Sequence, residues 1–283
     1  VGSANALTLN NDGTFTNSEG AIITKEQYET LSKNNNDYVI EHFDQRRINL
    51  YGDPCIVPKT DTIYQITTYT MDAYDNIIDQ VSINATKAQA EAVAKDSTLR
   101  VMSDGTLGKL SPIQTYGWAE SNYVSTESKE VQIQYYGTGD GYEVKLFANW
   151  FKLPKIRVYD IMALTWQYDV NIDNSIGFQL SDAGSTSYSF DGNNMKRTKK
   201  GVGISMNLHN NAKKSLELQL FMYTKNNPGS MWGTYQHARH SNATLAISKS
   251  YKFNIAGLGG VVKFDNSTYA SYYDNMQGVH FQG

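Results

Sequence analysis

The stretch "KIRVYDIMALTWQYDVNI", residues 155–172, decides the fold class. Its even positions are Ile156, Val158, Asp160, Met162, Leu164, Trp166, Tyr168, Val170 and Ile172. Successive side chains of a strand point to opposite faces, so an apolar set with a period of two marks a half-buried strand. Asp160 is the one break in that face. A carboxylate among apolar neighbours is costly unless it is paired. Arg157, three positions away, falls on the opposite face. The pattern therefore predicts that Asp160 pairs with a residue from another strand. A solvated bulge and a general acid or base are the two alternatives. No second carboxylate stands at a spacing legible for acid–base work.

The alternation extends in both directions. Val131, Ile133 and Tyr135 alternate with Glu130, Gln132 and Gln134. After a glycine-rich loop at 137–141, Val144, Leu146, Ala148 and Trp150 alternate with Glu143, Lys145 and Asn149. Further runs lie at 176–180, 202–208, 216–223, 245–255 and 261–264, separated by turn signals. Short strands spaced in this way predict an antiparallel β-sandwich or a barrel over residues 113–283.

The first part of the chain reads differently. Residues 1–20 form an extended arm of Asn, Ser, Thr and Gly, in which Leu7 and Leu9 share one strand face. They are candidates for insertion into a sheet, either of the same copy or of another. Residues 21–112 read as a small α+β region, bounded by the Gly- and Pro-punctuated stretch 97–112. Thr24-Lys25-Glu26-Gln27 is a capping box opening a helix near 24–33. The asparagines 34–36 end that helix, because Asn tolerates the left-handed conformation of a C-cap. Asp37 is the expected cap of a second helix near 38–48, in which His42 has a structural role. Thr86-Lys87-Ala88-Gln89 repeats the box for a helix near 86–96. A hairpin over 62–83 lies between them.

Composition narrows the function classes. Charged residues make up 19% and hydrophobic residues 40%, with 20 tyrosines, so the surface is polar but weakly charged. Disorder requires few aromatics, so a packed core is expected. The formal net charge is −3, and a nucleic-acid binder would carry a dominant basic footprint. The one basic cluster is Lys196, Arg197, Lys199 and Lys200. It reads as a solvated loop between strands or as an anion or lipid-headgroup contact. The single cysteine, Cys55, excludes an internal disulfide and reads as a small buried hydrophobe. No apolar run is long enough for a transmembrane helix. The first residue is Val1 rather than Met, which suggests a removed leader or a trimmed chain.

Catalytic signatures are missing. There is no G-x-S-x-G elbow, no H-E-x-x-H and no paired-cysteine zinc spacing. His237 and His240 are three apart and point to opposite faces of a strand. No metal, cofactor or catalytic residue is expected, and His237 reads as a hydrogen-bonding residue near a sheet end. Tyr116, Trp118, Trp232, Tyr235, Tyr272 and Tyr273 lie in loop-like segments and form a candidate aromatic contact surface, for instance for a glycan.

The segments "KLPKIRVYDIMAL" (152–164), "YQHA" (235–238), "GLGGVVKFDNSTYASYYDNMQGV" (257–279) and "TYTMDAYDNIIDQVSINATKAQ" (68–89) resemble a family of uncharacterised secreted proteins of Gram-positive bacteria. That resemblance implies export and carries no activity. The expected function is that of a secreted, non-enzymatic protein acting by contact. It would assemble with itself or bind a glycan or protein partner at a cell surface. A β-barrel pore-former is the alternative, with 176–190 and 202–208 as its amphipathic hairpin and membrane contact arising only there. A glycan-binding or hydrolytic surface protein is the weaker one.

Overall fold

The computed structural model describes residues 7–109, 122–138, 140–254, 261–274 and 278–283. Two compact units divide at Lys59 and Thr60. The expected boundary at 97–112 is therefore corrected, and residues 110–112 lie outside the described residues.

In the first unit, three two-residue strands, β1 (Thr8–Leu9), β2 (Phe15–Thr16) and β3 (Ile22–Ile23), form an antiparallel meander. The described part of the arm, residues 7–20, thus pairs within its own unit, and residues 1–6 lie outside the described residues. Leu9 is 67% exposed, so its expected insertion into an apolar pocket is corrected, while Leu7 is half-buried. Helices α1 (Lys25–Lys33), α2 (Asp37–His42) and α3 (Gln45–Gly52) follow. The capping box on α1 closes both ways: Gln27 N–H donates to Thr24 Oγ1, and Thr24 N–H to Gln27 Oε1, each at 3.1 Å. Asn35 takes the left-handed conformation (φ 55°) just after α1. The single helix expected near 38–48 is broken. Phe43 is extended, and Asp44 starts α3 by accepting from Arg47 N–H at 3.0 Å. Asn36 rather than Asp37 is the N-cap of α2. Asn17 ties the meander to this region, its amide donating to the carbonyls of Ile40 and Phe43.

The second unit is mainly β. In chain order it contains β4 (Lys59–Met71), β5 (Ile77–Ala85), α4 (Lys87–Lys95), β6 (Leu99–Val101), β7 (Leu107–Lys109), β8 (Tyr123–Thr138) and β9 (Gly141–Lys152). Next come β10 (Tyr159–Trp166), β11 (Asn174–Ser181), β12 (Gly184–Tyr188), β13 (Met195–Thr198), β14 (Gly201–Asn207), β15 (Leu216–Thr224) and β16 (Met231–Gln236). The last elements are α5 (Leu245–Ser248), β17 (Lys252–Phe253), β18 (Val262–Lys263), α6 (Ser267–Ser271) and β19 (Val279–Phe281).

Two open antiparallel sheets stack as a sandwich. One has the order β13-β14-β10-β16-β19, and the other β12-β11-β15-β9-β8-β4-β5. The 62–83 hairpin is therefore an edge of the larger sheet rather than part of a separate region. The inner faces supply the expected core. Val131, Ile133, Leu146, Met162, Leu164 and Trp166 are all 2% exposed or less. Trp166 satisfies its one polar atom by donating to the Lys199 carbonyl at 2.7 Å. The second capping box also forms, with Thr86 capping α4, and Val93 of α4 packs with Ile66 and Val101.

Three strand readings change. In β11 the face toward the other sheet carries Gly177: a Cβ there would sit 2.2 Å from Ile204 Cδ1, so the close approach needs glycine. The even set Ile176, Phe178 and Leu180 is not that inner face. Residues 176–180 and 202–208 stand in different sheets, β11 in the larger and β14 in the smaller. They are not one hairpin. Residues 245–248 form a helical turn capped by Thr244 rather than a strand. Cys55 is exposed, contrary to its expected burial.

Candidate functional site

The apolar core gives way to a polar layer at one end of the sandwich. Strand geometry places it there. Along the inner face of β10, Asp160 precedes Met162; on the smaller sheet, His237 follows Tyr235 just beyond β16. On β8 a register shift at Ser128/Lys129 re-aims the chain, and such an extra residue is a usual way to turn a side chain inward. Lys129 and Glu127 are then buried, at 1% and 4% exposure.

Asp160 is fully engaged. Its Oδ2 accepts from the Tyr235 hydroxyl and from His237 Nδ1 at 2.8 Å, and its Oδ1 accepts from Ala238 N–H at 2.8 Å. The expected pairing with a residue of another strand is thus with His237, not Arg157. Arg157 instead donates to the carbonyls of Pro154, His209, Asn210 and Ala212. Trp150 Nε1 donates to the Tyr235 hydroxyl at 3.0 Å. Lys129 pairs with Asp274 and lies 4.8 Å from the centre of the Trp150 ring. Asp274 also accepts from His237 N–H at 2.8 Å. Glu127 accepts from the Tyr69 hydroxyl at 2.8 Å, and its other oxygen lies 3.8 Å from His237 Nε2.

The electrostatics follow from this crowding. Burial pushes His237 down, but Asp160 and Glu127 together lift it above its ordinary value, so the imidazolium is favoured. Burial pushes Glu127 up, against the pull of His237 and Lys129. Burial and Asp160 raise Tyr235 well above the phenol range. These groups bond one another within the layer.

A cleft opens above the layer. It has a volume of about 720 Å³ and is walled by residues 74–76 of the β4–β5 turn, the start of β5 (77–80), 155–158, 239–241 and Ser271. A small hollow of about 10 Å³ leads from it toward Glu127 and His237, past Ile77, Lys155 and Arg239. That is about enough space for one water molecule. The Tyr74 ring is 86% exposed on the cleft wall. Lys155 pairs with Asp75 at 2.5 Å. Arg239 donates through Nε to the Ser271 carbonyl at 3.1 Å. His240 stacks on Tyr272, with ring centres 4.3 Å apart.

The candidate residues taken from the sequence distribute unevenly around this site. Tyr235 and Tyr273 are 0% and 2% exposed, so neither belongs to a contact surface. Tyr273 stacks on Phe264 within the core. Trp232 is half-buried against His280, and Tyr272 alone borders the cleft region, through His240. Tyr116 and Trp118 lie outside the described residues. The basic cluster does not converge. Lys196 donates to the carbonyls of Lys249 and Tyr251, Arg197 pairs with Asp191, and Lys200 pairs with Asp169. Among the described residues no group of His, Cys, Asp and Glu could hold a metal ion. Sequence reasoning missed Tyr74 and Arg239. Tyr74 sits in a five-residue turn, where an aromatic has no core to face, and that was the available signal.

No family model matches the chain, and no curated protein matches it. No helix among the described residues is long and apolar enough to cross a membrane.

Proposed function

We propose that the chain is an exported, non-enzymatic binding protein that engages a cell-surface partner through the cleft at the polar end of its sandwich. One observation carries the reading: the buried Asp160–His237 pair is set apart from the groups that line the open cleft. Tyr74 and Arg239 line the open cleft, whereas Asp160 and His237 are each 1% exposed and bonded to each other. A catalytic acid–base pair must reach the proton it moves, and both members of this pair are buried and bonded to each other. Ligand sites commonly occupy about 300–1,000 Å³, and the cleft falls within that range. Export rests on the family resemblance and on the polar, weakly charged composition. The pore-forming alternative loses its specific motivation, because its two arms belong to different sheets.

The test is titration of the purified protein onto intact Gram-positive cells and onto isolated wall polysaccharide. Ser241→Trp fills the cleft at an exposed position. Saturable binding that this variant abolishes is the expected result. Equal binding by the variant, or turnover of a glycan or peptide substrate by the native chain, would overturn the reading.

A further inference from the structure

We propose that the cleft takes a carboxylate-bearing saccharide and that the Arg239 guanidinium reads its carboxylate. This rests on the binding role given to the cleft above.

The cations around the cleft are not equivalent. Lys155 is paired with Asp75, and Arg157 is committed to four backbone carbonyls. Among the described residues Arg239 makes one side-chain bond, through Nε to the Ser271 carbonyl, and no ion pair. Its backbone is fixed by the bond from its N–H to the Tyr272 carbonyl at 2.8 Å. The side chain lines both the cleft and the small hollow beneath it. An anchored Arg with its terminal nitrogens unengaged is a planar fork suited to bidentate carboxylate recognition.

The remaining lining argues for a sugar. The exposed Tyr74 ring offers a flat amphipathic platform. Asn76, Ser241 and Ser271 supply short polar groups, and Asp79 has no ion pair among the described residues, leaving its carboxylate able to accept from hydroxyls. A phosphate would call for a second unengaged cation or a nest of backbone N–H groups.

Isothermal titration calorimetry with trigalacturonate, neutral galactotriose, pentaglutamate and inorganic phosphate tests the proposal. Trigalacturonate should bind at least about tenfold more tightly than galactotriose, the scale of one charge-assisted pair. Arg239→Lys keeps the charge but removes the fork, and it should abolish that preference while the melting curve is unchanged. Tyr74→Ala should weaken both sugars. Equal affinity for the two sugars, unaffected by Arg239→Lys, would overturn the carboxylate assignment and leave the cleft's binding role intact. Tighter binding of pentaglutamate or phosphate would overturn the saccharide assignment. So would binding of none of the four, with the cell-binding titration deciding the cleft's role separately. Sugar binding that survives Ser241→Trp would overturn both.

Discussion

Along the inner face of β10, Met162, Leu164 and Trp166 are held by area and packing, whereas Asp160 on the same face is held by three donors. Both regions are nearly water-free. They differ in what burial demands of a side chain. An apolar group needs only neighbours of the right shape, and many substitutions meet that need partly. A buried ion needs specific partners, and removing one leaves the other worse off than in water. The middle of the sandwich should therefore respond to volume, and its polar end to partnership.

The largest expected effect lies in the middle. Trp166→Ala should cost about 4 kcal/mol by denaturant titration, within the range for emptying a tryptophan site. A loss under about 1 kcal/mol would show that the face is not a close-packed core. The next effect breaks the polar end. Lys129→Met should cost about 3 kcal/mol by leaving Asp274 buried without its ion. Adding Asp274→Asn keeps the acceptor for His237 N–H and should restore part of that loss. A double-mutant cycle checks this, and simple additivity would mean that the pair is not coupled.

The smallest effect is that of pH. His237 and Glu127 are both raised in the folded chain. The folded state thus holds these protons more tightly than the unfolded one. His237's contribution is complete below its unfolded value, about 6.5, and is lost as pH rises through its raised folded value. Glu127 acts with the same sign from its own lower unfolded value. Thermal unfolding should therefore show a midpoint that falls from pH 6 toward alkali, with a flatter slope in His237→Gln. The exposed turns act in the opposite sense. Backbone N–H groups of Lys214, Lys213 and Ser215 hold Asp182 down at about 2. Its contribution is present above its unfolded value and is lost as pH falls toward 2. An unchanged midpoint across the alkaline range would break the contrast between the two ends.

What was legible in the sequence follows the range of the interaction. Both capping boxes close within three residues, and both were readable. The period of two located the inner faces of β8, β9 and β10, and it marked Asp160 as needing a partner. That partner was not readable, because the chain separates Asp160 from His237 by 77 positions. Lys129 and Glu127 look like ordinary polar residues until the register shift in β8 turns them inward. The same blindness misplaced residues 176–180 and 202–208, since alternation describes a strand but not its neighbours. Phe43 ended a helix early because the capping Asp44 outweighed continued periodicity. Of the aromatic surface, exposure rather than type was the hidden variable: Tyr235 is buried by its strand register, and Tyr74 is exposed by its turn.

The bridge between Lys129 and Asp274 joins positions 145 apart, and this separation constrains the order of events during biosynthesis. Closing so long a loop costs entropy before the contact returns anything. Until residue 274 has left the ribosome, Lys129 lacks its ion-pair partner, and sealing the end of the sandwich around it would strand an unpaired charge. The nascent sheets can pair, but this end must remain wet. The segment around Asp274 thus acts as the closing piece, and a chain stalled before it would keep its polar end open, within reach of chaperones and proteases.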